Sequence, residues 1–344
     1  MLKILIIRLS SLGDVILTTP LLKAVKELYP GSKLDYCTKA EYADVIRHNP
    51  NVDGIIETDN DLTFNKLKTL KGLLKGNNYD VIIDAHNKLN TFYIRLFLAG
   101  KKLKLKKYSI RKFLLINFKI NLMKSLPPII QRNVNIINPL FRGVDGAGGL
   151  PAAGRGVAPE ISTDFASSKK IADFFKNLNI QNNRKLICII PSSKHYTKTY
   201  PPELYAEFIN KHNTDKFTFL LIGKGKDKDN IEAIISKTGN NVYNLCDKFD
   251  VPEIAELMKR CSLVITGDTG PMHIAEAVGT PIIMIAGSSV REFGFYPQSQ
   301  NAVVLENNEL KCRPCSHIGR DSCPKGHFKC MFELSPKEIP SDIS

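Results

Sequence analysis

Two successive series of short apolar runs, each followed by longer helical patterns, constrain this chain more than any other feature of its sequence. In the first series the runs fall at residues 4–7, 34–37, 52–57 and 81–84, with helical patterns at 15–29, 40–48 and 62–76. In the second they fall at 186–190, 217–222, 242–245, 263–266 and 281–285, with helical patterns such as 201–213 and 251–260 between them. Strand, helix, strand alternation sets each strand parallel to the last, so each series predicts a parallel sheet with helices on its faces. The runs are continuously apolar rather than alternating, as strands covered on both sides must be. At 344 residues the chain is too long for one ordinary core and suits two. Residues 143–154, rich in Gly and Ala, disfavour regular structure and put the boundary near 143–165. The expectation is an α/β protein of two Rossmann-like domains: an N-terminal one over 1–160, a C-terminal one over 161–330, and a tail over 331–344.

Composition narrows the partners. No stretch reaches the roughly 18 uninterrupted apolar residues of a membrane span. The N-terminus starts directly on a strand pattern without the features of a secretory signal, so a cytoplasmic location is expected. The excess of 48 basic over 34 acidic residues, a formal charge of +14, predicts attraction to phosphates, nucleic acid or an anionic membrane surface. Residues 101–124 concentrate Lys and Arg among Leu, Ile, Phe and Tyr. That mixture fits a segment lying on anionic lipid, and equally a solvated helix with its apolar face on the core.

Three polar loops at strand ends carry the chemistry. The first strand runs into Arg8, Leu9, Ser10, Ser11, Leu12, Gly13 and Asp14. In open α/β sheets ligands gather outside the carboxyl ends of strands, so Asp14 belongs to a crevice; the plainer reading makes it a helix N-cap after a turn at Gly13. The glycine fingerprints of dinucleotide-binding and P-loop proteins are absent from this loop. In the second half, Gly267 to His273 follows a strand and opens a helix, so Asp268, Thr269 and Gly270 suit an anion such as a diphosphate. His273 falls in the first helical turn, as an anion contact or as a satisfied structural histidine. The loop after residues 186–190 offers Ser192, Ser193, Lys194 and Lys198 before Pro201, either a second phosphate-facing loop or a surface loop with incidental charge.

Four segments together resemble one family: Ser10-Ser11-Leu12-Gly13-Asp14, Tyr79-Asp80-Val81-Ile82-Ile83-Asp84, Lys198-Thr199-Tyr200-Pro201 and Gly267-Asp268-Thr269-Gly270-Pro271-Met272-His273. In this order they are similar to the ADP-heptose lipopolysaccharide heptosyltransferases of glycosyltransferase family 9, nearer to heptosyltransferase II-like members. The resemblance implies the GT-B fold, two Rossmann-like domains facing a central cleft, and inverting transfer of heptose from ADP-heptose to inner-core Kdo or heptose. It implies Asp14 as general base. Ser192, Ser193, Lys198, Asp268, Thr269, Gly270 and His273 then contact the donor, with Asp227 at its ribose and Phe249 beneath its adenine. Arg8, Ser10, Ser11, His86, Lys88, Arg111 and Lys112 become candidates for the carboxylates and phosphates of a lipid A-Kdo type acceptor. The basic 101–124 segment would then face the cytoplasmic side of an anionic inner membrane. No cofactor is required for catalysis on this reading.

Eight cysteines in a chain expected in the cytoplasm argue against a disulfide scaffold. Four cluster late, Cys312, Cys315, Cys323 and Cys330, with His317 and His327 between them. The opening Cys-x2-Cys has zinc-ligand spacing but the later gaps are irregular, so structural zinc, a redox pair and plain thiols all stand open. Asp59-Asn60-Asp61 could hold a metal-bound nucleotide but reads better as a solvated turn. Other nucleotide sugars on the same fold, a basic nucleic-acid-binding protein and a nicotinamide oxidoreductase are the rival readings. The first two keep the charge, and the last lacks its glycine fingerprint.

Overall fold

The computed structural model describes residues 1–141, 158–178, 184–212 and 216–335. They form two compact α/β units, Met1–Tyr108 with Pro127–Ser162, and Ser109–Leu126 with Thr163–Ser344. The glycine-rich stretch 143–154 lies outside the described residues, as does the tail beyond 335. Among the described residues no helix is long and apolar enough to cross a membrane.

The first unit holds strands β1 (Lys3–Ile7), β2 (Lys33–Lys39), β3 (Gly54–Thr58), β4 (Val81–Asp84) and β5 (Lys101–Lys104) in the order β3-β2-β1-β4-β5, all parallel. Ile4, Leu5, Ile6 and Ile7 are wholly buried, and each such side chain contributes roughly 1.5–3 kcal/mol by leaving water. Helices α1 (Leu12–Ile16), α2 (Thr19–Leu28), α3 (Phe64–Gly76) and α4 (Leu89–Leu96) connect these strands. The sequence suggests one helix over 15–29; the chain instead makes two, because the Thr18 and Thr19 hydroxyls bond back to the Val15 and Ile16 carbonyls and Pro20 opens the second helix. Residues 101–104 are a strand, with Leu103 buried and lysines facing out; four residues are too few for the pattern to separate strand from helix.

Next along the chain is α5 (Ser109–Phe118), which the sequence assigns to the first domain with the rest of 101–124 and which packs with the second unit. Leu115 is its buried residue. Just beyond it, Lys119 Nζ donates to the carbonyls of Cys312 and Pro314, and Asn121 to Glu292. The first unit closes with α6 (Ile129–Val134) and α7 (Asn138–Phe141).

The second unit's sheet runs β11-β10-β9-β6-β7-β8, from β6 (Lys185–Ile190), β7 (Phe217–Leu221), β8 (Val242–Asn244), β9 (Leu263–Gly267), β10 (Ile282–Ala286) and β11 (Ala302–Glu306). All its strand pairs are parallel. Its helices are α8 (Phe165–Asn177), α9 (Pro202–His212), α10 (Asp227–Ile235), α11 (Val251–Lys259), α12 (Gly270–Ala277) and α13 (Lys329–Phe332). Asp164 caps α8 by accepting from Ser167 N, and Asp250 with Glu253 forms a reciprocal box at α11. Phe328, Cys330 and Met331 from the cysteine-rich segment sit in the same apolar core as Ile187, Ile189, Phe219 and Ile265. That segment is therefore part of the second unit's core, not an appendage to it.

Candidate active-site residues

In the first sheet the strand order reverses at β1, whose neighbours are β2 and β4, so the crevice lies outside the carboxyl ends of β1 and β4. The loop after β1 delivers Asp14. Ser11 is the N-cap of α1 and Asp14 its third residue, so the plain N-cap reading of Asp14 is displaced by one turn. Gly13 lies inside the helix. Asp14 Oδ2 takes three donors: Arg8 Nη2 at 2.6 Å, Ser11 Oγ at 3.0 Å and Ser11 N at 3.3 Å. No donor among the described residues bonds Oδ1. Burial alone would raise this carboxyl, but the Arg8 charge and the Ser11 hydrogen bonds outweigh it and hold Asp14 below its ordinary 3.8.

Arg8 is itself buried and fixed, donating Nε to Ser10 O at 2.9 Å and Nη1 to Ala85 O at 2.5 Å. It thereby ties the loop after β1 to the loop after β4. The second loop is shaped by Asp84, wholly buried, whose Oδ1 accepts from His86 N at 3.1 Å and Asn87 N at 2.6 Å, with Arg95 Nη1 3.3 Å from Oδ2. His86 is 3% exposed and its Nδ1 has no hydrogen-bond partner among the described residues. Burial, with Arg8, Lys88 and Lys107 beside it, pushes its imidazole down to about 3, so it is neutral at ordinary pH and offers a hydrogen bond rather than a charge.

Lys88 caps α4, and with Lys107 it lines a cavity of about 590 Å³ together with Asn87, Leu89, Asn90 and Phe92. Lys107 is lowered by burial and then by Lys88 and Arg8. The sequence did not single it out. The one signal available was that β5 lies beside β4, which only the sheet order reveals. Arg111 and Lys112 lie on α5, which belongs to the second unit.

The Asp14 arrangement makes a pH prediction. If ionised Asp14 is the working form, activity persists above its folded pKa and falls as the pH drops through that value, below 3.8. Replacing Arg8 by Gln removes the main opposing charge and leaves burial dominant, so the acid limb of kcat/KM should move up by about one unit or more. A pH–rate profile of Arg8→Gln checks this, and an unmoved limb contradicts it.

In the second sheet the order reverses between β6 and β9, which brings the loop after β6 against the loop after β9. There Lys198 Nζ meets Asp268 Oδ2 at 2.6 Å, both side chains largely buried, and Ser289 Oγ donates to the same oxygen at 2.6 Å. Burial would raise Asp268, but the Lys198 charge and both hydrogen bonds hold it below its ordinary value. Thr269 is the extended N-cap of α12, its hydroxyl 3.3 Å from that of Thr266, and Gly270 opens the helix with Pro271 behind it. A largely buried cation thus lies beside a helix N-terminus whose first N–H groups are free of intrahelical partners, an arrangement suited to phosphate.

The approach of the two loops needs Gly267. A β-carbon there would come within 2.7 Å of the Lys198 carbonyl oxygen, which is backbone and cannot swing aside. Gly267→Ala should therefore displace Lys198, raise the donor KM about tenfold and cost about 1–3 kcal/mol of stability. Kinetics and thermal melts of the purified variant read both numbers.

The remaining candidates divide. Ser192 is buried and accepts from Asn230 Nδ2 at 3.0 Å, while Ser193 N donates to the Thr199 hydroxyl at 3.2 Å, so both belong to the Lys198 loop. His273 is buried on α12, its Nδ1 3.4 Å from Glu276 Oε2. Asp227 closes the turn after β7 by accepting from Lys224 N at 2.9 Å. The Phe249 ring packs edge-on against Phe174, 5.0 Å between centroids, with Lys170 over it. Cys312, Cys315, Cys323 and Cys330 are free thiols, and Cys312 Sγ lies 3.9 Å from His327 Nε2. Burial, reinforced by Cys315, pushes Cys330 up to about 12. Among the described residues no three His, Cys, Asp or Glu side chains converge as a metal site. Asp59 and Asp61 are exposed and pair with Lys66.

The family model of glycosyltransferase family 9 (heptosyltransferase) matches residues 67–324, three quarters of the chain. The chain belongs to that family. It is 25% identical to lipooligosaccharide heptosyltransferase 2 of Haemophilus influenzae over 97% of this chain and 96% of that protein. It is 23% identical to lipopolysaccharide heptosyltransferase 3 of Escherichia coli K12 over 89% and 88%. Against two Campylobacter jejuni lipooligosaccharide heptosyltransferase 2 sequences the chain spans about half of their length, 54% and 52%. The fold matches the family 9 structure from Veillonella parvula with a TM-score of 0.76 at 22% identity, covering 89% of this chain and 86% of that one. It matches E. coli ADP-heptose heptosyltransferase II with 0.71 at 20% identity, covering 96% and 98%. The two parallel-sheet units match the fold of these family 9 structures.

Proposed function

We propose that this enzyme transfers heptose from ADP-heptose to the inner-core Kdo or heptose of a lipopolysaccharide precursor, inverting the anomeric centre without a catalytic metal. The observation that carries the reading is the largely buried Lys198 side chain held beside the N-terminus of α12, in a chain whose family is the heptosyltransferases. As the glycosidic bond breaks, negative charge grows on the departing ADP oxygens. Lys198 and the N–H groups of Thr269 and Gly270 stabilise that charge from fixed positions. Asp14 uses its unengaged Oδ1 to take the proton of the acceptor hydroxyl as the hydroxyl oxygen attacks the carbon opposite ADP. With its pKa held down by Arg8, Asp14 is a weak base toward a neutral hydroxyl. Its proton transfer therefore comes late, once bond formation has acidified that hydroxyl.

Arg8, Lys88 and Lys107 supply positive charge for the carboxylates and phosphates of the acceptor, and His86 supplies an uncharged hydrogen bond. Ser10 and Ser11 act through Arg8 and Asp14, whose positions they fix. Asp227 and Phe249 are assigned to the ribose and adenine from their places after β7 and before α11. On α5 and just beyond it Ile110, Phe113, Phe118, Ile120 and Leu122 are exposed beside Arg111 and Lys112. This supports peripheral contact with the anionic cytoplasmic face of the inner membrane. The four clustered cysteines carry no step.

Supplying ADP-heptose and other nucleotide sugars in parallel with a delipidated Kdo-bearing acceptor, and reading the product linkage by NMR, tests the proposal. A heptosyl product whose anomeric configuration is opposite to the donor's is expected. Retained configuration, or preference for another sugar nucleotide, overturns it.

A further inference from the structure

Arg313 stands in the middle of Cys312-Arg313-Pro314-Cys315, outside every loop assigned to substrate, yet its guanidinium is buried and spends its donors on one structure. Nε donates to Gly287 O at 2.6 Å, and Nη2 to Ser289 O at 2.8 Å and Ala286 O at 3.2 Å. These three carbonyls are the end of β10 and the turn beyond it. On its other side Nη1 donates to Asn307 O at 2.6 Å, and Nη2 lies 3.0 Å from Glu306 Oε2 at the end of β11. Tyr296 OH bridges the same pair, donating to Glu306 Oε2 at 2.8 Å and lying 3.1 Å from Ser289 O. A planar fork with five fixed N–H directions is the side chain that can clamp several carbonyls at once; a lysine has neither the plane nor the reach.

What is clamped is the residue that orients Asp268. Ser289 is 3% exposed, its carbonyl is fixed by Arg313, and its hydroxyl donates to the Asp268 oxygen that also holds Lys198 Nζ. The rest of the cysteine-rich segment braces the same place from behind. Thr197 and Arg320 exchange backbone and hydroxyl hydrogen bonds, Tyr196 stacks on Phe328 at 4.6 Å, and a β-carbon at Gly287 would collide with Met331.

We infer that Arg313 is a positioning residue for the donor site: through Ser289 and Asp268 it sets where Lys198 presents its ammonium to the donor diphosphate, and the cysteine-rich segment exists in this fold as the frame that holds it. The inference rests on Lys198 as the donor-phosphate cation. It assigns the Cys312 to Met331 region a role in donor affinity that needs no metal and no thiol chemistry.

The test is a double-mutant cycle read by titration of ADP onto the full-length protein. Ser289→Ala and Arg313→Lys, each checked for folding by circular dichroism and thermal melt, should weaken ADP binding about five- to twentyfold, and the donor KM should rise more than kcat falls. In a Lys198→Ala background the same substitutions should change ADP affinity by less than about twofold, because the group they position is gone. A frame that served stability alone would lower the melting temperature without this dependence on Lys198. If Lys198→Ala weakens ADP binding and the second substitution multiplies that loss in full, the inference is overturned while the donor assignment stands. If Lys198→Ala leaves ADP binding unchanged, the donor assignment falls and the inference falls with it. Should Arg313→Lys fail to fold, Ser289→Ala, which deletes one hydroxyl, decides the question alone.

Discussion

Asp14→Asn should lower turnover by about 10²–10⁴-fold, the usual worth of a positioned general base, while ADP affinity stays within about twofold of wild type. The substitution keeps the shape of the side chain and an oxygen for the Ser11 donors, and removes only the capacity to hold the acceptor's proton and the charge facing Arg8. Because Arg8 is buried and keeps its bonds to Ser10 and Ala85, it stays in place as an unbalanced cation. A modest drop in melting temperature is therefore expected beside the kinetic loss. Single-turnover kinetics with saturating donor separate the two effects. Retained turnover contradicts the role of Asp14, and lost ADP binding contradicts its confinement to the acceptor side.

The second large effect belongs to Lys198. Lys198→Ala should reduce kcat/KM for the donor by about 10²–10³-fold, as expected when a fixed cation facing a developing oxyanion is lost. It also strands Asp268, largely buried and left with Ser289 as its side-chain hydrogen-bond donor among the described residues, and breaking a fully buried pair from one side costs about 3–5 kcal/mol, the upper bound here. The stability change carries a pH signature. In the wild type Asp268 is held below its ordinary pKa, so its contribution is present above about 3.8 and lost as the pH falls through the folded value. Without Lys198 burial dominates, the carboxyl is pushed up, and the variant should regain part of the lost stability as the pH is lowered and Asp268 becomes neutral. Thermal melts of both proteins between neutral and mildly acid pH check the sign.

The strands and their parallel order were legible because nine of them are apolar runs bounded by clear breaks. The two that escaped, β5 and β11, sit at sheet edges, where Lys101, Lys102 and Lys104, or Val303 at 48% exposure, face solvent and the apolar signal thins. The site followed the same logic. Asp14, Lys198, Asp268 and Thr269 stand at strand ends, where sequence order alone marks a ligand-facing loop. Lys107, Asn230, Ser289 and Arg313 come to the site through sheet order and packing, and nothing in their local sequence announces it. Arg313 in particular is hidden by its neighbours, since a Cys-x2-Cys draws attention to sulfur while the residue between the thiols does the holding. The amphipathic pattern of 101–124 was visible, but the pattern could not say which unit its apolar face would meet, and Leu115 chose the second.

Acceptor-dependent release of ADP from ADP-L-glycero-D-manno-heptose is the most direct test of the central claim, run with purified wild-type protein and inner-core acceptors bearing Kdo or heptosyl-Kdo. Release should require an acceptor, favour one of the two, and collapse in Asp14→Asn and Lys198→Ala. Folded protein that releases no ADP with either acceptor, or releases it equally without one, would contradict it.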